Sequence, residues 1–150
     1  ASMFAGTSLA ISGVCAGHAA AYSFTVTVPH GVGCALAMPY VMELNSSACL
    51  PRLVAIAEAA GVKEEGARHE KNAFNAVKAV RQLMEEVKSP LSLKEIGIKE
   101  TDLESMAKSM LTVKRLLVRN PKALTDKDAE LLMRRMYDGQ PLPLSEYRET

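Results

Sequence analysis

From Ala1 to Met42 the chain contains no Lys, Arg, Asp or Glu; Glu43 is the first charged side chain, and all 18 basic and 17 acidic residues lie from there onward. So long an uncharged run has two settings open to it, a lipid bilayer or the interior of a fold. A membrane span needs about 20 largely apolar residues, and a secretory signal needs a basic start before its apolar middle. Residues 1–24 offer neither: they are mostly Ala, Gly, Ser and Thr, with only Phe4, Leu9, Ile11, Val14 and Phe24 strongly apolar and no basic flank. The front is therefore expected to be a buried core segment of a soluble cytoplasmic domain. Gly13 and Gly17, a G-x-x-x-G pair, are expected to let two backbones approach closely. The formal net charge of +1 and 48% hydrophobic content leave no basic excess for nucleic acid and too much apolar surface for disorder.

Behind the front, helix punctuation recurs and strand alternation is nearly absent. Pro51 suits the first turn of a helix with Leu53, Val54 and Ala57 at helical spacing, closed by Gly61. Between about Ala67 and Val87, Phe74, Val77, Val80, Met84 and Val87 keep a three-to-four residue rhythm, with Lys71, Lys78, Arg81, Glu85 and Glu86 on a solvated face, until Pro90 stops it. Capping boxes at Ser92 with Glu95 and Thr101 with Glu104 predict a short helix ending at Gly97 and a longer one using Leu103, Met106 and Met110. A last helix follows Thr125-Asp126-Lys127-Asp128, uses Leu131, Leu132 and Met136, ends at Gly139, and is left by a Pro141-Leu142-Pro143 tail. In the front, residues 3–22 read as one or two helices and Val32–Leu44 as another entered through Pro29-His30-Gly31. Phe24–Val28 alternates, but a lone five-residue run makes no sheet and is expected to be an extended link. The eight methionines are expected to fill core gaps. The fold class is all-α, a helical bundle in a single domain over residues 1–150.

Chemistry is to be sought at Gly17-His18-x-x-x-Tyr22 and Pro29-His30-Gly31. Helix carries the chain about 9 Å from His18 to Phe24, and five extended residues span up to roughly 16 Å back, so both imidazoles can face one point. Two histidines alone are fewer than the three or four ligands of a usual zinc or iron site, and the plain alternative is that each is a satisfied polar residue in a helical core. His69, within Ala67-Arg68-His69-Glu70-Lys71, reads as part of a solvated face. Cys15, Cys34 and Cys49 match neither a disulfide framework nor a C-x-x-C metal site and read as small buried hydrophobes.

The run Gly17-His18-Ala19-Ala20-Ala21-Tyr22, then Pro29-His30-Gly31-Val32, then Leu36-Ala37-Met38-Pro39-Tyr40-Val41-Met42-Glu43 resembles the carboxy-terminal half of the iron-dependent (group III) alcohol dehydrogenases. The resemblance continues through Ile56-Ala57-Glu58-Ala59-Ala60-Gly61-Val62, Ser92-Leu93-Lys94-Glu95-Ile96-Gly97 and Asn120-Pro121, and covers essentially the whole chain. It implies a dehydroquinate-synthase-like helical domain that follows an amino-terminal dinucleotide-binding domain, with the active site between them. It implies a divalent metal, Fe2+ or in relatives Zn2+, held by an Asp and a His from earlier in the chain and by two further histidines matching His18 and His30. The metal acts as a Lewis acid on an alcohol, aldehyde or ketone oxygen while hydride passes to or from NAD or NADP on the other domain.

Two departures stand out. Tyr22 occupies the position where many members carry a second histidine near the metal; a phenol also relays protons, although its ordinary pKa near 10 is far from neutrality. The link from there to His30 is shorter than in most members, and some relatives work without metal. No glycine-rich loop follows a strand, so the isolated chain is expected to lack a nucleotide site and to be inactive. The start at Ala1-Ser2-Met3-Phe4 reads as a cut piece. The alternative is a helical interaction or dimerisation module without a catalytic role, which predicts an exposed apolar patch.

Overall fold

The computed structural model describes residues 2–140; the expected Pro141-Leu142-Pro143 tail lies outside them. Among the described residues the chain is all-α with no strand, in the order α1 (Ser2–Ser12), α2 (Ala16–Tyr22), α3 (His30–Leu44), α4 (Ser46–Ala59), α5 (His69–Glu86), α6 (Leu103–Thr112), α7 (Lys114–Leu117) and α8 (Asp126–Asp138), with a 3-10 turn at Glu100–Asp102 before α6.

Helix α3 is the hub, packing on α2, α5 and α8, while α4 lies along α5, α6 along α8, and α2 also meets α6 and α7. Ala16, Ala19 and Ala20 give α2 a face without bulk, so its backbone approaches its neighbours closely. Around that face Leu36 and Tyr40 of α3, Met106 and Met110 of α6, and Met133 and Met136 of α8 are all 2% exposed or less. The unbranched methionines do fill this irregular centre, though Met3 and Met38 are exposed. Inside, Tyr40 donates its hydroxyl to the Leu91 carbonyl at 2.5 Å, and the Asn45 and Asn120 amides exchange two hydrogen bonds of 3.0 and 2.7 Å.

Local signals decide several boundaries. Helix α8 opens on a true capping box: Thr125 accepts from the Asp128 N–H while the Asp128 carboxylate accepts from the Thr125 N–H. It closes on Gly139 at φ 71°, the left-handed conformation that costs glycine nothing. Helix α4 bends at Cys49, whose φ and ψ of −135° and 25° are not helical, so Pro51 stands in the first turn after the bend.

Other expectations need correction. Ser92–Gly97 is a closed turn, not a helix: Ser92 and Glu95 do bond each other, but the Glu95 carboxylate takes the Leu91 N–H, and the chain folds back so that Ile98 N–H reaches the Leu93 carbonyl. Thr101 does not cap α6, because residues 100–102 are already wound into the 3-10 turn and Glu104 turns forward to pair with Lys108 at 2.5 Å. Val87 and Leu131 fall on exposed surface at the edges of their helical stripes. Arg81, assigned to the solvated face, lies over the Tyr40 ring and donates to the Gly139 carbonyl at 2.9 Å.

The largest correction concerns the front. Helices α2 and α3 are core elements, but α1 has no buried residue: Phe4 is 73% and Ile11 79% exposed. Phe4 and Ile11 point one way from the helix axis and Leu9 the opposite way, so no single apolar stripe can settle onto the bundle. Its C-terminal end is tied down through Arg119, which donates to the Ser12 carbonyl at 2.7 Å and packs against Gly13. The G-x-x-x-G pair is not a helix-packing face. Gly13 ends α1 at φ 68°, and a Cβ on Gly17 would meet nothing. No single helix among the described residues is long and apolar enough to cross a membrane; α1 and α2 together have the length and apolarity but are bent by 91°.

Candidate metal centre

His18 stands in the first turn of α2 and His30 is the first residue of α3. The link between these helices returns the chain on itself with Phe24, Val26 and Val28 half-buried and Thr25 and Thr27 exposed, the alternation the sequence carries. Thr25 donates to the Asp102 carboxylate at 2.9 Å, anchoring the loop to the start of α6. Beneath it Gly33 is buried, and a Cβ there would lie 3.4 Å from Ala21 and 3.5 Å from both Phe24 and Val28. An alanine would fit here in ordinary contact, and only a side chain reaching beyond Cβ would press on Ala21, Phe24 and Val28.

The imidazoles of His18 and His30 accordingly meet with ring centroids 5.1 Å apart. Tyr22, one helical turn beyond His18, presents its ring edge-on to His18 at 6.4 Å and stacks on His30 at 5.7 Å. It is 53% exposed, open to solvent on the side away from the bundle. All three residues singled out from the sequence thus share one site. His69 starts α5 and is exposed, as expected of a solvated helix face.

Sequence reasoning missed a fourth member. Cys34 lies one turn along α3 from His30, and its Sγ is 3.5 Å from the His30 Nε2. One donor atom from each of His18, His30 and Cys34 can be chosen so that all lie within 4.8 Å of one another. Donors around one zinc-like ion, at 2.0–2.1 Å for nitrogen and 2.3 Å for sulfur, stand about 3.3–3.6 Å apart. The sulfur–nitrogen pair already has that separation, and closing the remainder takes about one ångström, so these side chains fit a small divalent ion. The signal was present as His30-x-x-x-Cys34, an i, i+4 pair on one helix face; weighing the cysteines only against one another passed over it.

Electrostatics suits a neutral ligand set. Burial, and secondarily the charge of His30, holds the His18 pKa below the ordinary histidine value, which keeps its ring nitrogens available near neutrality. Burial also pushes the Cys34 thiol upward. Beside the cluster opens a cavity of about 340 Å³, with His18 and Cys34 on its wall among Val14, Met38, Val41, Met42, Leu53 and Pro121. Such a volume, largely apolar with a few polar groups at one end, is that of a small-molecule site. Its far side is fixed by the Asn45–Asn120 pair, which brings Pro121 against α3.

Residues 1–137 match the family described as "Fe-containing alcohol dehydrogenase family, C-terminal". Long-chain-alcohol dehydrogenase 1 of Geobacillus thermodenitrificans is 29% identical over 140 residues, which are 92% of this chain and 35% of that protein. Lactaldehyde reductase of Escherichia coli K12 is 35% identical over 83 residues, 55% of this chain and 22% of that enzyme. Among solved structures, an alcohol dehydrogenase from Oenococcus oeni superposes with a TM-score of 0.76 at 33% identity, over 82% of this chain and 32% of that one. The chain thus spans between about a fifth and about a third of the relatives it matches.

Proposed function

Because the chain belongs to the C-terminal family of the iron-containing alcohol dehydrogenases, we propose that it is the helical metal-binding domain of an NAD- or NADP-dependent enzyme that interconverts an alcohol and an aldehyde or ketone. The observation that carries this reading is the meeting of His18 and His30 from two helices at 5.1 Å. His18 and His30 hold Fe2+ or Zn2+, joined by ligands from elsewhere in the enzyme; when bound, the metal polarises the substrate oxygen as a Lewis acid.

The residues of this chain then act around that point. The two imidazoles would hold the ion, with His18, kept neutral by burial, on the wall of the cavity. Tyr22 lies against both rings and half in solvent, so its hydroxyl carries a proton between the substrate oxygen and water. The apolar wall from Val14 to Leu53 receives the carbon chain of the substrate and excludes water from it. The nicotinamide is held by another domain, since no glycine-rich strand-to-helix loop occurs among the described residues, and the isolated chain is inactive. Its three free thiols suit a reducing cytoplasm.

A second reading rests on α1. The exposed Met3, Phe4, Leu9 and Ile11 form apolar surface that docks against the nicotinamide-binding domain or, in a homodimer, against a second copy. The test is alcohol-dependent reduction of NAD and NADP by this chain alone and joined to a nicotinamide-binding domain of the family, with Fe2+ or Zn2+ added or removed. Activity is expected only in the joined form with metal, and His18→Ala should abolish it while helical content is kept. Metal-independent activity that survives His18→Ala and His30→Ala overturns the metal reading and leaves the docking one.

A further inference from the structure

The cavity beside the histidines has a length and a far end that the proposed function leaves unread. Cys34, Met38, Val41, Met42 and Asn45 all border it. Their spacing keeps them on one face of α3 and of the residue that ends it. From Cys34 to Asn45 that face runs about 16 Å. The cavity is therefore elongated along α3, with His18 beside Cys34 at one end and Asn45 at the other.

The Asn45 end offers little to a second polar group. Among the described residues that line the cavity, none is Lys, Arg, Asp or Glu. The Asn45 amide is buried and turned onto Asn120, and the Cys49 thiol donates to the Asn45 carbonyl at 3.0 Å. Leu53, one turn beyond Cys49 on α4, and Pro121, next to Asn120, are apolar.

We propose that this cavity selects unbranched aliphatic alcohols and aldehydes of about six to ten carbons with a single polar end, against diols, hydroxyaldehydes and hydroxy acids. The inference rests on the reading of the chain as the metal-binding half of an alcohol-interconverting enzyme, and names the substrate class of that site. At roughly 30 Å³ per non-hydrogen atom, the share that water takes in the liquid, 340 Å³ holds on the order of ten such atoms. A hydroxyl carried to the Asn45 end loses its water without gaining a partner, at a cost of about 10–100-fold in affinity, and a carboxylate loses more.

Binding of primary alkanols to the metal-free chain, followed by NMR through the Met38 and Met42 methyl groups, tests the cavity apart from catalysis. Affinity should rise about fourfold per methylene from butanol to octanol. The six-carbon terminal diol and terminal hydroxy acid should each bind at least about tenfold more weakly than hexanol. Met42→Gln keeps the side-chain length and places a donor and an acceptor one turn from Asn45. It should narrow the gap between diol and hexanol, which a folding defect would not do. Joined to a nicotinamide-binding domain of the family and loaded with metal, the chain should give kcat/KM values in the same order. Affinities that are flat with chain length, or a diol bound as tightly as hexanol, overturn the inference and leave the metal reading standing. No turnover of any alcohol by the joined, metal-loaded enzyme overturns the proposed function and the substrate assignment with it.

Discussion

Glu43, the first charged residue of the sequence, is buried to 1% side-chain exposure and paired with Arg135, whose Nη2 donates to its Oε2 at 3.1 Å. The residue that ends the uncharged front therefore continues the core, and its partner comes from α8. Removing one member of a buried ion pair strands the other without compensation, which costs about 3–5 kcal/mol. Glu43→Ala should lower the unfolding free energy measured in urea by that margin, whereas Glu43→Leu combined with Arg135→Met should recover most of it. A single variant as stable as the parent would show the pair to be irrelevant to the α3–α8 packing.

His18 should titrate below a free histidine when its ring resonances are followed by NMR, because burial first and His30 second disfavour its charged form. Substituting His30→Gln removes only the second cause and should raise the value part of the way. The linkage sign follows: as pH falls through about 6.5, the unfolded chain takes up a proton that the folded chain still refuses, so stability present above that point declines below it. Denaturation midpoints that are flat from about pH 7 to pH 5 in the parent and in His18→Gln alike would contradict this.

The reciprocal amide pair of Asn45 and Asn120 joins the end of α3 to the loop after α7. Truncating either side leaves a buried amide unsatisfied, at a cost of about 1–3 kcal/mol. Asn45→Ala and Asn120→Ala should each destabilise by this amount, and the double variant by clearly less than their sum in a thermodynamic cycle. Since Asn120 precedes Pro121 on the cavity wall, Asn120→Ala should also loosen apolar ligands of the cavity; strict additivity would mean the two amides act independently.

Thr125 and Thr101 look alike in sequence and differ in the fold, which makes them a paired test. Thr125→Ala removes a working cap and should cost about 0.5–2 kcal/mol. Thr101→Ala, at a position where no cap forms, should change thermal stability by less than about 0.5 kcal/mol. Equal losses would restore the capping reading of Thr101-x-x-Glu104.

Short-range chemistry was legible in the sequence. The start of α3 after Pro29, the Thr125 box and Gly139 stop of α8, and the link at Phe24–Val28 each depend on a few neighbouring residues whose torsions and hydrogen bonds are decided locally. The all-α class follows from the same signals, and His18 and His30 were found by their ordered motifs. What depended on distant partners was not legible. Whether α1 is covered is decided by what stands opposite it, and an uncharged composition says only that burial would be inexpensive. Glu43 needed Arg135, 92 residues away, to be tolerated in the core. Cys34 became a candidate ligand only when the link folded α2 back over the first turn of α3. Sequence by itself determined most of the helices and singled out His18, Tyr22 and His30; tertiary structure alone decided which side chains meet, because distances between groups on different helices are set by packing between helices, not by spacing along one.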